Sequence, residues 1–290
     1  MSYMLPADTV LGEVKLRVRN LANLVTFYTD VIGLQVLNRD THKAELTADG
    51  NKALLVLEEI PNAITLPERT TTGLYHFAIL VPSRKQLGLS LRRLAEYGVR
   101  IGQADHLVSE ALYLSDPEGN GIEIYRDRPR SEWKWENGNV AMATDPLDIP
   151  GILREAEDSP WQGLPPETIM GHIHLHIADL EKARAFYCDL LGWGMAADMS
   201  RIMRALFISA GGYHHHIGLN VWAGIGAPRP PANATGLDYY KVVLPSAAEL
   251  DELVARVREA GVDIVEQDGA WVVEDPFGIE IRFAYLREWA

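Results

Sequence analysis

The chain has 290 residues, 47% hydrophobic and 23% charged, a globular composition long enough for one large domain or two ordinary ones. A formal net charge of −13 argues against nucleic-acid and anionic-membrane partners, which call for clustered cations, and no apolar run reaches the ~20 residues that cross a bilayer. Cys188 is the only cysteine, which excludes an internal disulfide; with no signal-like start in "MSYMLPADTV", a cytoplasmic location is expected.

In chain order, "EVKLRVR" alternates as a strand, and Asn20 is placed to cap a helix carrying Leu21, Leu24, Val25 and Tyr28 on one face. Gly33 stands where a left-handed stop is wanted, and "AELTA" and "KALLVLEE" read as strands. The same grammar restarts at "YHFAILV", with a helix from Ser83 to Tyr97 closed by Gly98, then strands through "ALYLS" and "GIEIY". Residues 128–167 differ in composition, with Trp133, Trp135 and Trp161 among Pro, Gly and charges, and read as a linker whose tryptophans pack behind the domains.

Beyond that linker the chain repeats itself. "MGHIHLHIADLEKARAFYCDLLGW" from Met170 aligns without a gap on "LGEVKLRVRNLANLVTFYTDVIGL" from Leu11. "GLDYYKVVLP" matches "GLYHFAILVP", and "EDPFGIEIRF" echoes "SDPEGNGIEIY". A duplication therefore predicts two domains, 9–127 and 168–287, each holding two strand-helix-strands modules. In the third module His172, His174 and His176 alternate along a strand and share one face. A solvated surface, a hydrogen-bonded core feature and a metal site all remain open from the residues alone.

Four such modules, with "HIHLHIADLEKARAFYCDLLG" and "DPEGNGIEIY" as landmarks, resemble the vicinal oxygen chelate superfamily over nearly the whole chain outside the linker. The resemblance implies an α+β fold of paired βαβββ modules, whose open, curled mixed sheets surround a divalent metal. It also implies ligands from the first and last strands of modules. The first-strand positions hold Glu13, His76, His172 and Tyr239, and the last-strand positions of the second and fourth modules hold Glu123 and Glu280. Pairing the second module with the third gives His76, Glu123 and His172. Two imidazoles and one carboxylate are the facial set that leaves positions open on Fe(II). Mn(II) accepts the same donors.

The run "HLVSEALYLSDPEGNGIE" resembles the signature of extradiol ring-cleavage dioxygenases, in which a His, an apolar-Tyr pair, Asp-Pro, Gly and a Glu ligand follow in order. It supplies His106, Tyr113, Asp116-Pro117, Gly119 and Glu123, and departs from the pattern only at Ala104, two residues before the His. The fourth module has neither that His nor that Tyr. The same resemblance places an acid-base His in "GGYHHHIGLNVW", where His215 has the right spacing to Gly218 and Leu219. By strand alternation either His215 points inward or His214 and His216 do. His174, His176, His214 and His216 are thus candidates for lining the substrate pocket.

The chain as a whole resembles the two-domain bacterial catechol 2,3-dioxygenases of Bacillus type. That implies a small aromatic diol and O2 as substrates, Fe(II) as cofactor, and association into homo-oligomers as an open question. Two other classes stay in view. A glyoxalase-like lyase or isomerase would use Zn(II) or Ni(II) without redox, and a bleomycin-resistance-type binder would need no metal.

Overall fold

Residues 3–286 are described in the computed structural model of the chain, so the expected boundary at 287 lies outside them. The first module comprises strand Val10–Val18, a helix from Leu21 to Ile32, and strands Gln35–Arg39, Lys43–Thr47 and Leu55–Glu59. The second has strand Gly73–Leu80, helix Arg84–Glu96, and strands Gly102–Asp105, Ser109–Ser115 and Gly121–Asp127. The third has strand Ile169–His176, a helix from Leu180 to Leu190, and strands Gly194–Met199, Ala205–Ser209 and Ile217–Asn220. The fourth has strand Gly236–Leu244, helix Ala247–Glu259, and strands Ile264–Gln267, Ala270–Glu274 and Glu280–Tyr285.

Within every module the first strand pairs in parallel with the last. The modules then join first strand to first strand, antiparallel, and they do so across the two halves. Val10–Val18 pairs with Gly236–Leu244, and Gly73–Leu80 with Ile169–His176. Two eight-stranded sheets result, one from modules one and four and the other from modules two and three. The stretches 9–127 and 168–287 therefore mark a repeat in the sequence, while each sheet takes a module from both. One apolar cluster, including Leu16, Phe77, Ile173 and Phe283, is shared by both sheets.

The helix starts follow local chemistry. The side chain of Asn20 accepts from the Asn23 N–H, and that of Asp179 accepts from Glu181 and Lys182, satisfying donors that have no partner inside the helix. Gly33 and Gly192 take left-handed angles, φ 94° and 86°, just beyond the helix ends. Between those ends the helices widen. Over Phe27–Ile32 and Arg184–Leu190 they become π-helical, and the Gly33 N–H donates to the Tyr28 carbonyl five residues back at 3.0 Å.

The repeated Phe-Tyr and Asp-Pro pairs, Phe27-Tyr28 and Phe186-Tyr187 with Asp116-Pro117 and Asp275-Pro276, are partners in the fold. Tyr28 donates to Asp116 Oδ2 and Tyr187 to Asp275 Oδ2, each at 2.8 Å and buried. Each bond ties the helix of one sheet to a strand turn of the other. Tyr187→Phe is expected to lower unfolding stability by about 1–3 kcal/mol, since it leaves a buried carboxylate short of one donor. Urea denaturation would read that loss, with metal content unchanged.

The segment 128–167 is more than a linker. It forms a small hairpin, Trp135–Glu136 with Asn139–Val140, and a helix, Ile149–Ala156, that lies on helix Arg84–Glu96. Gly88 permits that contact, because a Cβ there would stand 2.4 Å from the Ile152 carbonyl oxygen. Trp133 is buried and donates from Nε1 to the Arg128 carbonyl, and Trp161 packs on Gly33. Trp135 does not pack behind the domains as expected; it is 48% exposed. Among the described residues no helix is long and apolar enough to cross a membrane.

Candidate metal centre

The seam between modules two and three builds the site. Cross-strand partners on one face stand side by side, and here His172 lies opposite Ala78, Ala78 beside Glu123, and Glu123 opposite Tyr113. His76, two residues before Ala78, shares its face and lies opposite His174. With only a methyl on Ala78, the two imidazoles and the carboxylate converge over it. His172 Nε2 is 2.9 Å and His76 Nε2 3.1 Å from Glu123 Oε2. One potential ligand atom from each of the three falls within 4.8 Å of the others, and all three residues are buried.

These residues fit a divalent ion. Ligand atoms about 2.1 Å from one ion and at right angles about it stand ~3.0 Å apart, close to both observed separations. His76 Nε2 has no aligned hydrogen bond despite its proximity to Glu123, so it is a buried polar atom awaiting a partner. Burial holds the His76 imidazole below its usual pKa against the pull of Glu123. For Glu123 burial works upward, but the His172 charge and hydrogen bond, with His76 behind them, hold it well below the carboxylate range. A neutral imidazole and an ionised carboxylate are the forms that ligate metals.

A cavity of about 690 Å³ opens onto His76 and Glu123, and its walls also carry His106, Tyr113, His174 and His215. The His106 Nδ1 lies 2.7 Å from the Ala143 carbonyl, which can only accept, so Nδ1 carries the proton. His106 Nε2 then accepts from the Tyr113 hydroxyl at 2.6 Å. The hydroxyl proton is thus directed away from the cavity centre while the phenolic oxygen keeps its lone pairs. Burial, then the Glu123 charge, push the Tyr113 pKa well above its usual value, so the phenol stays protonated.

The remaining histidines divide. His174 sits on the cavity wall with Nε2 unpartnered, its ring lying over Gly218, where a Cβ would come within 2.7 Å of it. His176 bonds Asn220 Oδ1 at 2.7 Å and faces a neighbouring cavity of about 630 Å³ beyond Tyr75 and His76. His215 faces the main cavity with its ring centroid 4.2 Å from that of His172. Burial, then the surrounding imidazoles, push its pKa well down. His214 and His216 line neither cavity, so of the two alternatives left by strand alternation the structure takes the one in which His215 faces inward, although residues 213–216 lie outside any regular strand. His214 is fully buried, with Nδ1 2.8 Å from His215 Nδ1 and Nε2 2.8 Å from Asp127 Oδ1. His216 accepts from the Ala210 N–H.

Sequence reasoning passed over Asp127, Tyr75 and the cavity walls around them. Asp127 had a signal: it shares strand parity with Glu123 and Tyr125. Tyr75, with ring centroids within about 5.2 Å of His76, His174 and His176, had none beyond its place next to a candidate ligand.

The other sheet shows the same positions without a ligand set. Glu13 is held by Lys241 Nζ at 2.6 Å and accepts from Tyr239 at 3.2 Å, and Glu280 is held by Arg282 at 2.7 Å. The Arg282 guanidinium lies 3.9 Å over the Tyr239 ring. Side-chain cations occupy the place where an ion would have to sit.

Sheets built from paired βαβββ modules around a His-Glu-His cluster define the class, and the chain belongs to the Glyoxalase/Bleomycin resistance protein/Dioxygenase superfamily, whose model matches residues 10–124 and 169–283. The chain is 57% identical over 270 residues to the Catechol-2,3-dioxygenase of Bacillus subtilis (strain 168), covering 93% of this chain and 94% of that one. It is 31% identical over 121 residues to the Biphenyl-2,3-diol 1,2-dioxygenase 3 of Rhodococcus globerulus, covering 40% of this chain and 63% of that one. Among solved structures, glyoxalase I from Zea mays superimposes with a TM-score of 0.55 at 14% identity, covering 97% of this chain and 95% of that chain. At that identity the likeness speaks to fold alone.

Proposed function

We propose that the protein is an extradiol ring-cleaving dioxygenase of the catechol 2,3-dioxygenase type, with Fe(II) held by His76, Glu123 and His172. The observation that carries the reading is one cavity where two of these ligands meet the His106–Tyr113 pair and His215, with His172 directly behind. The name of the Bacillus relative supports the same substrate class. Mn(II) would fit the donor set equally, and a glyoxalase-like isomerisation would leave the His106–Tyr113 pair without a task.

When bound, the ion supplies positive charge that favours catecholate over catechol, together with the redox chemistry that lets the ring react with O2. The protein's own groups do the rest. The Tyr113 oxygen accepts a hydrogen bond from one substrate hydroxyl and fixes the ring's orientation. Neutral His215 takes a proton from the substrate, then returns one as the ring opens to a muconic semialdehyde.

The walls also select. Val108, Met142, Met199, Met203, Phe207 and Trp222 surround the cavity, and among the described residues no Lys, Arg or Asp lines it. Arg69 and Arg100 face the neighbouring cavity instead. A ring substituent carrying a carboxylate would be buried there unpaired, which is unfavourable by several kcal/mol. Anaerobic loading with Fe(II), then catechol or an alkylcatechol and oxygen, is expected to give the yellow ring-fission product. With 3,4-dihydroxybenzoate, kcat/KM should be lower by about tenfold or more. Full iron occupancy with no ring-fission product from any of these diols would reject the assignment.

A further inference from the structure

His214 is wholly buried and lines neither cavity described above, and its two ring nitrogens bridge a carboxylate to another histidine. With His214 neutral, donor–acceptor rules fix the direction of such a chain. Asp127 can only accept, so the His214 Nε2 at 2.8 Å from its Oδ1 carries the proton. A neutral His214 then has a bare Nδ1, which can only accept. The His215 Nδ1 at 2.8 Å must therefore be the donor, and the unprotonated nitrogen of His215 is Nε2. We infer that Asp127, acting through His214, is a positioning residue that holds His215 in the tautomer whose Nε2 is bare for the substrate's proton. The inference rests on His215 being the base proposed above.

The surroundings keep the chain from reversing. Asp127 ends strand Gly121–Asp127 in module two, whereas His214 and His215 belong to the turn that leads into Ile217–Asn220 in module three. The bond thus spans the same seam as the metal ligands. The second oxygen of Asp127 accepts from the Tyr213 hydroxyl at 2.8 Å, and the Tyr125 and Tyr213 hydroxyls are 2.7 Å apart. Both carboxylate oxygens are therefore engaged by donors. The His214 ring is held by Tyr213 and Trp133, at centroid distances of 4.1 Å and 5.2 Å. It has no room to turn over and exchange its nitrogens. An orienting carboxylate fixes the tautomer of a catalytic histidine directly in hydrolase triads; here a second imidazole relays the instruction.

Asp127→Asn is the discriminating change. With its carbonyl oxygen kept by the Tyr213 hydroxyl, the amide presents N–H to His214 Nε2. That forces the His214 proton onto Nδ1 and the His215 proton onto Nε2. Nitrogen-15 NMR of histidine-labelled protein, with the His215 signals assigned through a His215→Gln variant, reads the tautomer without reference to activity. The expected result is a His215 proton on Nδ1 in the parent protein and on Nε2 in D127N. In the iron-loaded enzyme D127N should lose about 10²-fold in kcat, with KM within about twofold and iron content unchanged, and Asp127→Glu should recover part of the loss. A parent protein with the His215 proton on Nε2 overturns the inference, whether or not the enzyme cleaves catechol. So does a D127N enzyme whose kcat stays within twofold, or one whose kcat, KM and iron content collapse together. Absence of ring cleavage by the fully iron-loaded parent counts against the proposed function alone, since the NMR result stands by itself.

Discussion

His76→Ala and Glu123→Ala proteins are expected to purify with under about a tenth of the parent's iron and to lose ring cleavage by ~10³-fold or more. Each removes one of the three proposed ligands, and two remaining ligands hold a divalent ion weakly. His172→Ala should do the same and cost stability as well. It strips the 2.9 Å partner from a buried carboxylate, a change that destabilises by about 3–5 kcal/mol when the ion is absent. His174→Ala is the control. His174 lies opposite His76 across the seam and its Nε2 has no partner, yet it falls outside the cluster of converging ligand atoms. It should keep at least about half of the iron. Metal analysis of the purified, anaerobically reconstituted variants decides the matter, and a His174 variant as iron-poor as the His76 variant would mean the ligand set is wrong. The same measurement should give one ion per chain, because Lys241 and Arg282 occupy the corresponding place in the other sheet.

Why the sequence revealed so much of this site, and where it stopped, has a physical basis. Strand parity and the gapless repeat are local properties of the chain, so the modules and the faces of His172, His174 and His176 could be placed without coordinates. The cross-half pairing followed from the ligand positions that the family resemblance implies: neither half alone holds two histidines and a carboxylate at them, whereas modules two and three together do. What stayed hidden depends on backbone that obeys no period. Alternation left two alternatives at residues 213–216, which lie outside any regular strand, and only the folded chain selects the one with His215 facing the cavity and His214 and His216 turned from it. The Ala143 carbonyl, which sets the His106 tautomer, comes from a segment whose composition suggested a mere connection. That segment is bound to the sheet by reciprocal bonds between Asp105 and Asp145, at 2.8 and 2.9 Å, which no side-chain pattern announces. A main-chain acceptor carries no residue identity, so no motif could have pointed to it.

Replacing His215 should separate proton transfer from metal binding. His215→Phe keeps a flat ring beside His172 and Phe207, at centroid distances of 4.2 and 5.1 Å in the parent, but offers no nitrogen to the substrate. Iron content is expected to match the parent, since His215 is not among the converging ligands. The loss should fall on kcat, by about 10²–10⁴-fold, the usual contribution of a positioned acid or base. Some stability is also forfeited, about 1–3 kcal/mol, because the buried His214 Nδ1 loses its hydrogen-bond partner; comparison at a temperature well below the unfolding transition keeps that effect out of the kinetics. Tyr113→Phe offers the contrast. It removes a hydrogen-bonding group that orients the substrate and leaves the base in place, so KM should rise along with a smaller fall in kcat, on the order of tenfold. Steady-state kinetics on the two iron-loaded variants tests both assignments together. If His215→Phe instead raised KM with kcat intact, His215 would be a wall of the pocket, and the proton would have to move through Tyr113 and His106, the other hydrogen-bonded pair that reaches the cavity.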